Sequence, residues 1–156
     1  MTQSDTKPDK GADVERLAGA LVTYSARLVR AVSRRTSQEV PAATLRLLSQ
    51  LEELGPVGVS QLAVADRCSQ PTMSAAVKNL TDKGWARKKA NPDDARSCLV
   101  TLAPAGLAVL AEARRRNAAV VADRLAADDR HTEAELASAV TLIQHLLENI
   151  PSEGRK

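Results

Sequence analysis
The side chains here that can do chemistry are donors, acceptors and fixed cations gathered between Ser60 and Thr101. In that stretch Arg67, Lys78, Lys83, Arg87, Lys88, Lys89 and Arg96 outnumber Asp66, Asp82, Asp93 and Asp94, although the whole chain carries a net charge of only +3. A local cation excess on a near-neutral chain is the footprint of a polyanionic partner such as duplex DNA. Ser69, Gln70, Thr72, Ser74 and Ala75 offer small hydroxyl, amide and methyl groups at the start of one helical segment. Such groups let a backbone approach closely, hydrogen-bond base edges and touch thymine methyls. Lys78, further along the same segment, is better placed for phosphate. Arg87, Lys88 and Lys89 crowd one strand, and Arg96 follows the turn Asn91-Pro92-Asp93-Asp94. A guanidinium at a hairpin tip suits a narrow minor groove, where the potential is most negative. Asp94 either orients that guanidinium through a bidentate pair or forms with it a solvated turn ion pair of little energetic value.

Other chemistries find no support. There is no Gly-rich phosphate loop, no nucleophile motif paired with a histidine, and no spaced carboxylate pair. His131 and His145 stand alone without metal-ligand spacing. The sequence therefore reads as a non-enzyme with no cofactor and no metal. Cys68 and Cys98 form no disulfide framework and fit a reducing cytoplasm. Cys68 reads as a small apolar residue in a turn, or, beside Arg67, as a thiol whose oxidation would disturb DNA docking; Cys98 reads as structural. No apolar run reaches membrane-span length and the polar start lacks an apolar signal core, so a soluble protein of the cytoplasm is expected.

The elements that must position these groups are mostly helical. Phe is absent and there is one Trp and one Tyr, so the core must be aliphatic. After a tail over residues 1–11, Val14, Leu17, Leu21, Tyr24 and Leu28 step by three and four along a first helix over 12–36. Ala18, Val22 and Val29 widen that stripe. Pro41 is expected in the first turn of a second helix, with Leu45, Leu48, Leu51 and Leu54 as its buried face and Gly55-Pro56 as its stop. Ser60 is expected to cap a third helix with Leu62, Ala63 and Ala65 inward. Ser69, followed by Pro71, is expected to cap a fourth whose inner side is Met73, Ala76, Val77 and Leu80. Gly84 ends it, and strands follow at Trp85–Ala90 and Ser97–Leu102. Pro104 opens a fifth helix carrying Leu107, Leu110, Val121 and Leu125. The run Arg114-Arg115-Arg116 on it reads as a solvated or interface face, or as extra phosphate contacts. Thr132 and Glu135 make a capping box for a sixth helix lined by Leu136, Ile143, Leu146, Leu147 and Ile150, with Pro151 ending the fold.

The order is α-α-α-α-β-β-α-α, a mainly α fold with a small β-hairpin. A winged helix-turn-helix lobe over 40–103 is flanked by dimerisation helices over 12–36 and 104–150, with a tail over 151–156. The first, fifth and sixth helices carry more apolar surface than one small lobe covers. A homodimer using Val14, Leu17, Leu21, Leu28, Leu125, Leu136, Ile143, Leu146 and Leu147 is expected; an intramolecular bundle is the alternative.

The segment Val59-Ser60-Gln61-Leu62-Ala63, Ser69-Gln70-Pro71-Thr72, Val77, Leu80 and Gly84 resembles the MarR family of bacterial regulators. The likeness continues through Asp94-Ala95-Arg96-Ser97, Leu99-Val100-Thr101-Leu102 and Gly106. It implies a two-fold dimer built on the first, fifth and sixth helices, with the fourth helix in the major groove and Arg96, supported by Asp94, in the minor groove. It also implies a small aromatic or phenolic effector in a cleft beside the dimer helices, for which Tyr24 is the candidate lining residue, equally suited to the core or interface. Two departures stand out. Ala103 occupies the place of the usual Thr or Ser cap, and Ala75 that of a longer basic or polar residue. The expected function is a sequence-specific regulator, a repressor of a palindromic operator. An architectural DNA binder and a winged helix used for protein interaction are the alternatives.

Overall fold
The computed structural model describes residues 10–36 and 40–150; within them, Lys10, Ala95 and Arg96 are described in backbone only. The chain divides into two units, 1–37 and 38–156. The ends of both expected tails, with Pro151, lie outside the described residues.

In the first unit α1 runs Lys10–Arg35. Along it Val14, Leu17, Val22, Tyr24, Leu28 and Val29 are exposed and Leu21 is half-buried. The Tyr24 ring has the Arg27 guanidinium 5.6 Å from its centroid, and the same face, with Leu21, Leu28, Arg30 and Arg34, borders a groove of ≈ 780 Å³.

The second unit runs α2(Ala42–Leu54), β1(Val57–Gly58), α3(Val59–Ala65), α4(Gln70–Asp82), β2(Ala86–Asn91), β3(Asp94–Leu102), α5(Pro104–Ala126) and α6(Glu133–Asn149). The strand β1 enlarges the expected hairpin to an antiparallel three-stranded sheet of order β1-β3-β2. Val57 pairs with Val100 and Gly58 with Leu99; two residues are too short for a period-2 pattern, so only the distant partner reveals them. Leu48, Leu51, Leu62, Val77, Leu80 and Val100 form the fully buried aliphatic centre, joined by Leu47, Met73, Val57, Ala86 and Leu110.

Several local expectations shift by a residue or a turn. Pro41 is the N-cap of α2 and not its first helical residue, its carbonyl accepting from the N–H groups of Thr44 and Leu45. The buried face of α2 is Leu47, Leu48 and Leu51, whereas Leu54 is 44% exposed because its last turn runs past the core. Gly58, not Ser60, caps α3, and the Gln61 side chain accepts from the Gly58 N–H at 3.1 Å. Ala65 is exposed. On α5, Gly106 and Leu110 face inward while Leu107 is 47% exposed. Gly106 explains that rotation: its bare Cα lets the helix sit against the Trp85 carbonyl. Val121 and Leu125 are half-buried.

The capping box of α6 is present, with Thr132 N–H donating to Glu135 Oε2 at 2.7 Å and Glu135 N–H to Thr132 Oγ1 at 3.2 Å. Every residue of α6 is exposed, including Leu136, Ile143, Leu146 and Leu147. No described helix is long and apolar enough to cross a membrane.

At the start of α5, Ala103 sits in N-cap geometry (φ −92°, ψ 157°) without a side-chain hydrogen bond. Ala103→Ser should supply the missing acceptor and stabilise by about 1 kcal/mol, raising the melting temperature by roughly 2–4 °C for a chain of this size. An unchanged or lower midpoint in a thermal melt would mean those N–H groups need no side-chain acceptor.

Candidate nucleic-acid interface
Local sequence builds the start of α4. Ser69 lies in extended geometry, its Oγ accepts from the Thr72 N–H at 3.3 Å and meets Thr72 Oγ1 at 2.7 Å, and Pro71 occupies the first turn. Before it, α3 ends at Asp66, and Arg67 takes φ 50°, the left-handed region. Cys68 N–H then returns to the Ala63 carbonyl at 3.0 Å. Met73, Val77 and Leu80 are buried beneath α4, with Ala76 half-buried. Ser69, Gln70, Thr72, Ser74, Ala75 and Lys78 are exposed, and so is Asn79, which the sequence reading passed over. The Lys78 ammonium is 2.6 Å from Asp82, one turn on. Such an exposed i,i+4 pair holds its cation weakly.

Strand β2, packed against α4, carries Arg87, Lys88 and Lys89, all exposed. Its ladder with β3 runs regularly from Ala86↔Leu102 to Ala90↔Cys98 and then jumps to Asn91↔Asp94. Ala95, Arg96 and Ser97 therefore form a bulge on β3 with no opposite residues. Bulges of this kind re-aim a strand locally. Asn91 staples it, donating from Nδ2 to Ser97 Oγ at 2.9 Å, while Ser97 Oγ donates to the Asp94 carbonyl at 3.2 Å and Asp93 N–H to Asn91 Oδ1 at 3.1 Å. The backbone of Arg96 lies inside this staple; its pairing with Asp94 involves a side chain outside the described set.

Three side-chain contacts escaped the sequence reading, two of them between residues far apart in the chain. The Arg46 guanidinium of α2 grips Asp66 with Nε 2.6 Å from Oδ1 and Nη2 3.1 Å from Oδ2, and Gln50 Nε2 adds a contact at 3.3 Å. These partners are 20 and 16 residues from Asp66, and no periodicity links them. Arg114 joins α5 to α2 through Glu52 at 2.6 Å and Ser49 at 3.3 Å, while Arg115 and Arg116 pair with Glu112. The Arg114–Arg116 run is thus occupied by intramolecular ion pairs. Lys83 Nζ stands 4.7 Å over the half-buried Trp85 ring.

Hydrogen bonding from Arg46 is the largest influence on Asp66 and holds its carboxyl below the ordinary carboxylate range. A depressed folded value means the stabilisation is full above the unfolded value of about 3.9 and is lost as pH falls through the folded one. Asp66→Asn should cost about 1 kcal/mol near neutrality, discounted because Arg46 is half in solvent. The wild-type and variant curves should converge in acid. Urea titrations from pH 7 downward check this; a constant gap would mean that ionisation of Asp66 is not what stabilises.

Cys68 is half-buried against the core, whereas Cys98 is exposed on β3 and has no packing role to match its expected one. Among the described residues no group of three His, Cys, Asp or Glu is arranged for a metal. A cleft of ≈ 530 Å³ between α2 and α4 is lined by Leu47, Met73, Leu80, Arg46, Asp66 and Lys83, among others.

Comparison with known proteins places this arrangement. A sequence model of the MarR family matches residues 40–98. HTH-type transcriptional regulators of Mycobacterium bovis and Mycobacterium tuberculosis are each 31% identical over 137 residues, covering 87% of this chain and 96% of theirs. Among solved structures, wild type apo MarR of E. coli superposes with TM-score 0.61 at 20% identity over 85% of this chain and 95% of its own. A transcriptional regulator of Thermotoga maritima gives 0.65 at 17% identity over 88% and 95%. A mutant E. coli MarR complexed with operator DNA gives 0.53 at 20% identity over 86% and 94%.

Proposed function
This chain belongs to the MarR family of transcriptional regulators, not enzymes, and on that premise we propose that two copies of it hold a palindromic operator as an effector-responsive repressor in the bacterial cytoplasm. The exposed small polar start of α4 beside the basic β2 strand carries this reading. Ser69, Gln70, Thr72, Ser74 and Ala75 face base edges in the major groove, Lys78, Arg87, Lys88 and Lys89 face phosphates, and Arg96 enters the minor groove with Asp94 behind it. The operator complex of the E. coli relative supports it.

Dimerisation draws on the apolar residues that α1 and α6 leave in solvent, among them Val14, Leu17, Leu28, Leu136, Ile143, Leu146 and Leu147, with Leu21 and Leu125 at their margins. Uncovered apolar faces of this extent mark an interaction surface. Half-sites then lie about 10 bp apart, centre to centre. An effector beside Tyr24 acts only through unequal affinity for the DNA-bound and free dimer states.

The test is titration of the protein onto DNA from upstream of its own gene against a scrambled duplex at fixed physiological salt. A preference of about 10³-fold or more supports a sequence-specific regulator. Equal binding to both favours an architectural role or an operator elsewhere in the genome, and no binding to either favours a protein-interaction module.

A further inference from the structure
We infer that Arg46, Gln50 and Asp66 form a positioning brace that seats α4, so that they govern discrimination between DNA sequences without touching DNA. The inference rests on the DNA-binding reading above and adds residues to it that lie outside the helix and the wing.

The turn between α3 and α4 needs an external hold. Arg67 occupies left-handed backbone without being glycine, a conformation that persists only where its surroundings over-determine it. Immediately before it, the Asp66 carboxylate is clamped from α2 by both nitrogens of the Arg46 fork and by Gln50. The Asp66 side chain is only 16% exposed, while that of Arg46 is 56% exposed and reaches over it from the solvent side. Immediately after it, Cys68 N–H is tied to α3 and Ser69 starts α4. The clamp therefore acts one residue from the strained point and three before the helix cap. The apolar contacts of Met73, Val77 and Leu80 permit small slides along and about the α4 axis, since packing of aliphatic side chains is non-directional. A two-pronged Arg–carboxylate contact is directional and removes that freedom at the end of the helix that meets base edges. Further along, α2 is tied to α5 by Glu52 and Ser49 through Arg114, so the clamp is anchored to the helix beyond the wing.

The test uses Arg46→Met, which keeps the apolar stem and removes the fork, together with Asp66→Asn and the double variant. The DNA probes are a duplex selected by the wild-type protein from a random-sequence pool and a scrambled duplex of equal length. In the free protein, amide exchange over Cys68–Met73 should quicken about tenfold in Arg46→Met, the size expected for loss of a charge-assisted contact. Affinity for the selected duplex should fall by about tenfold with that for scrambled DNA nearly unchanged, and the double variant should be no worse than either single one. The slope of log affinity against log salt should stay as in the wild type, because no phosphate contact is lost. A slope smaller by about one would show Arg46 on a phosphate and overturn the proposal; equal loss on both duplexes or unchanged exchange would overturn it as well. If the wild type selects no duplex, the DNA-binding reading fails, and the exchange rates alone decide whether the brace holds the turn.

Discussion
Gly106→Ala is expected to destabilise the protein by about 3 kcal/mol, the upper range for overpacking a close contact. The corresponding drop in melting temperature is roughly 10 °C. A Cβ at this position would stand 2.2 Å from the Trp85 carbonyl oxygen and 2.9 Å from Leu102 Cδ1. The carbonyl has little room to withdraw, because it also accepts the Ala103 N–H at 2.9 Å. Relief must come from moving the first turn of α5 away from the sheet, which opens the packing around Leu110 and Ala86. Alanine's intrinsic helix preference over glycine, about 1 kcal/mol, works in the opposite direction and is too small to compensate. Gly19→Ala provides the control. Nothing lies within 4 Å of a Cβ there, so the same preference should appear unopposed as a gain of up to about 1 kcal/mol. Thermal melts of both variants check the contrast; similar midpoints would remove the close approach at Gly106 as a determinant of the fold.

Arg96→Ala should weaken operator binding by about 10- to 100-fold, the effect of losing one groove contact, with far-UV circular dichroism and melting temperature unchanged. The three-residue bulge sets this residue apart from the paired ladder, so its removal disturbs no strand pairing. Arg96→Lys should recover only part of the loss, since an ammonium keeps the charge but not the planar, weakly hydrated fork favoured in a narrow groove. Fluorescence anisotropy on a labelled operator at two salt concentrations checks both. Undiminished affinity in Arg96→Ala would remove the hairpin tip from the reading and leave α4 and the β2 cations as the contacts.

What the sequence disclosed was local. Ser69-Gln70-Pro71-Thr72 announces a helix start because cap and proline act within one turn, and Thr132 with Glu135 does so for the same reason. The inner residues Met73, Val77 and Leu80 follow from helical spacing alone. Contacts between distant parts of the chain left no such mark. Val57-Gly58 becomes a strand only because Val100 and Leu99 lie beside it. Asp66 entered the sequence reading merely as one charge in a count, and its partner Arg46 sits on another helix. Gly106 was visible as a point of family likeness, yet its reason, a carbonyl from Trp85, is a matter of approach between elements. Leu54 was placed inward by spacing, but the length of its helix against the core decides otherwise.

The order β1-β3-β2 leaves β2 at one side of the sheet, with Arg87, Lys88 and Lys89 in succession along it. A strand in that position presents unpaired backbone donors and acceptors to any other extended chain, and copies of a protein concentrated on DNA meet often. Cations in a row repel a like strand before its backbone can pair. The residues proposed to draw the hairpin towards phosphate thus also keep one hairpin from zipping onto the next, and neutralising them would exchange weaker DNA attraction for a greater tendency to aggregate.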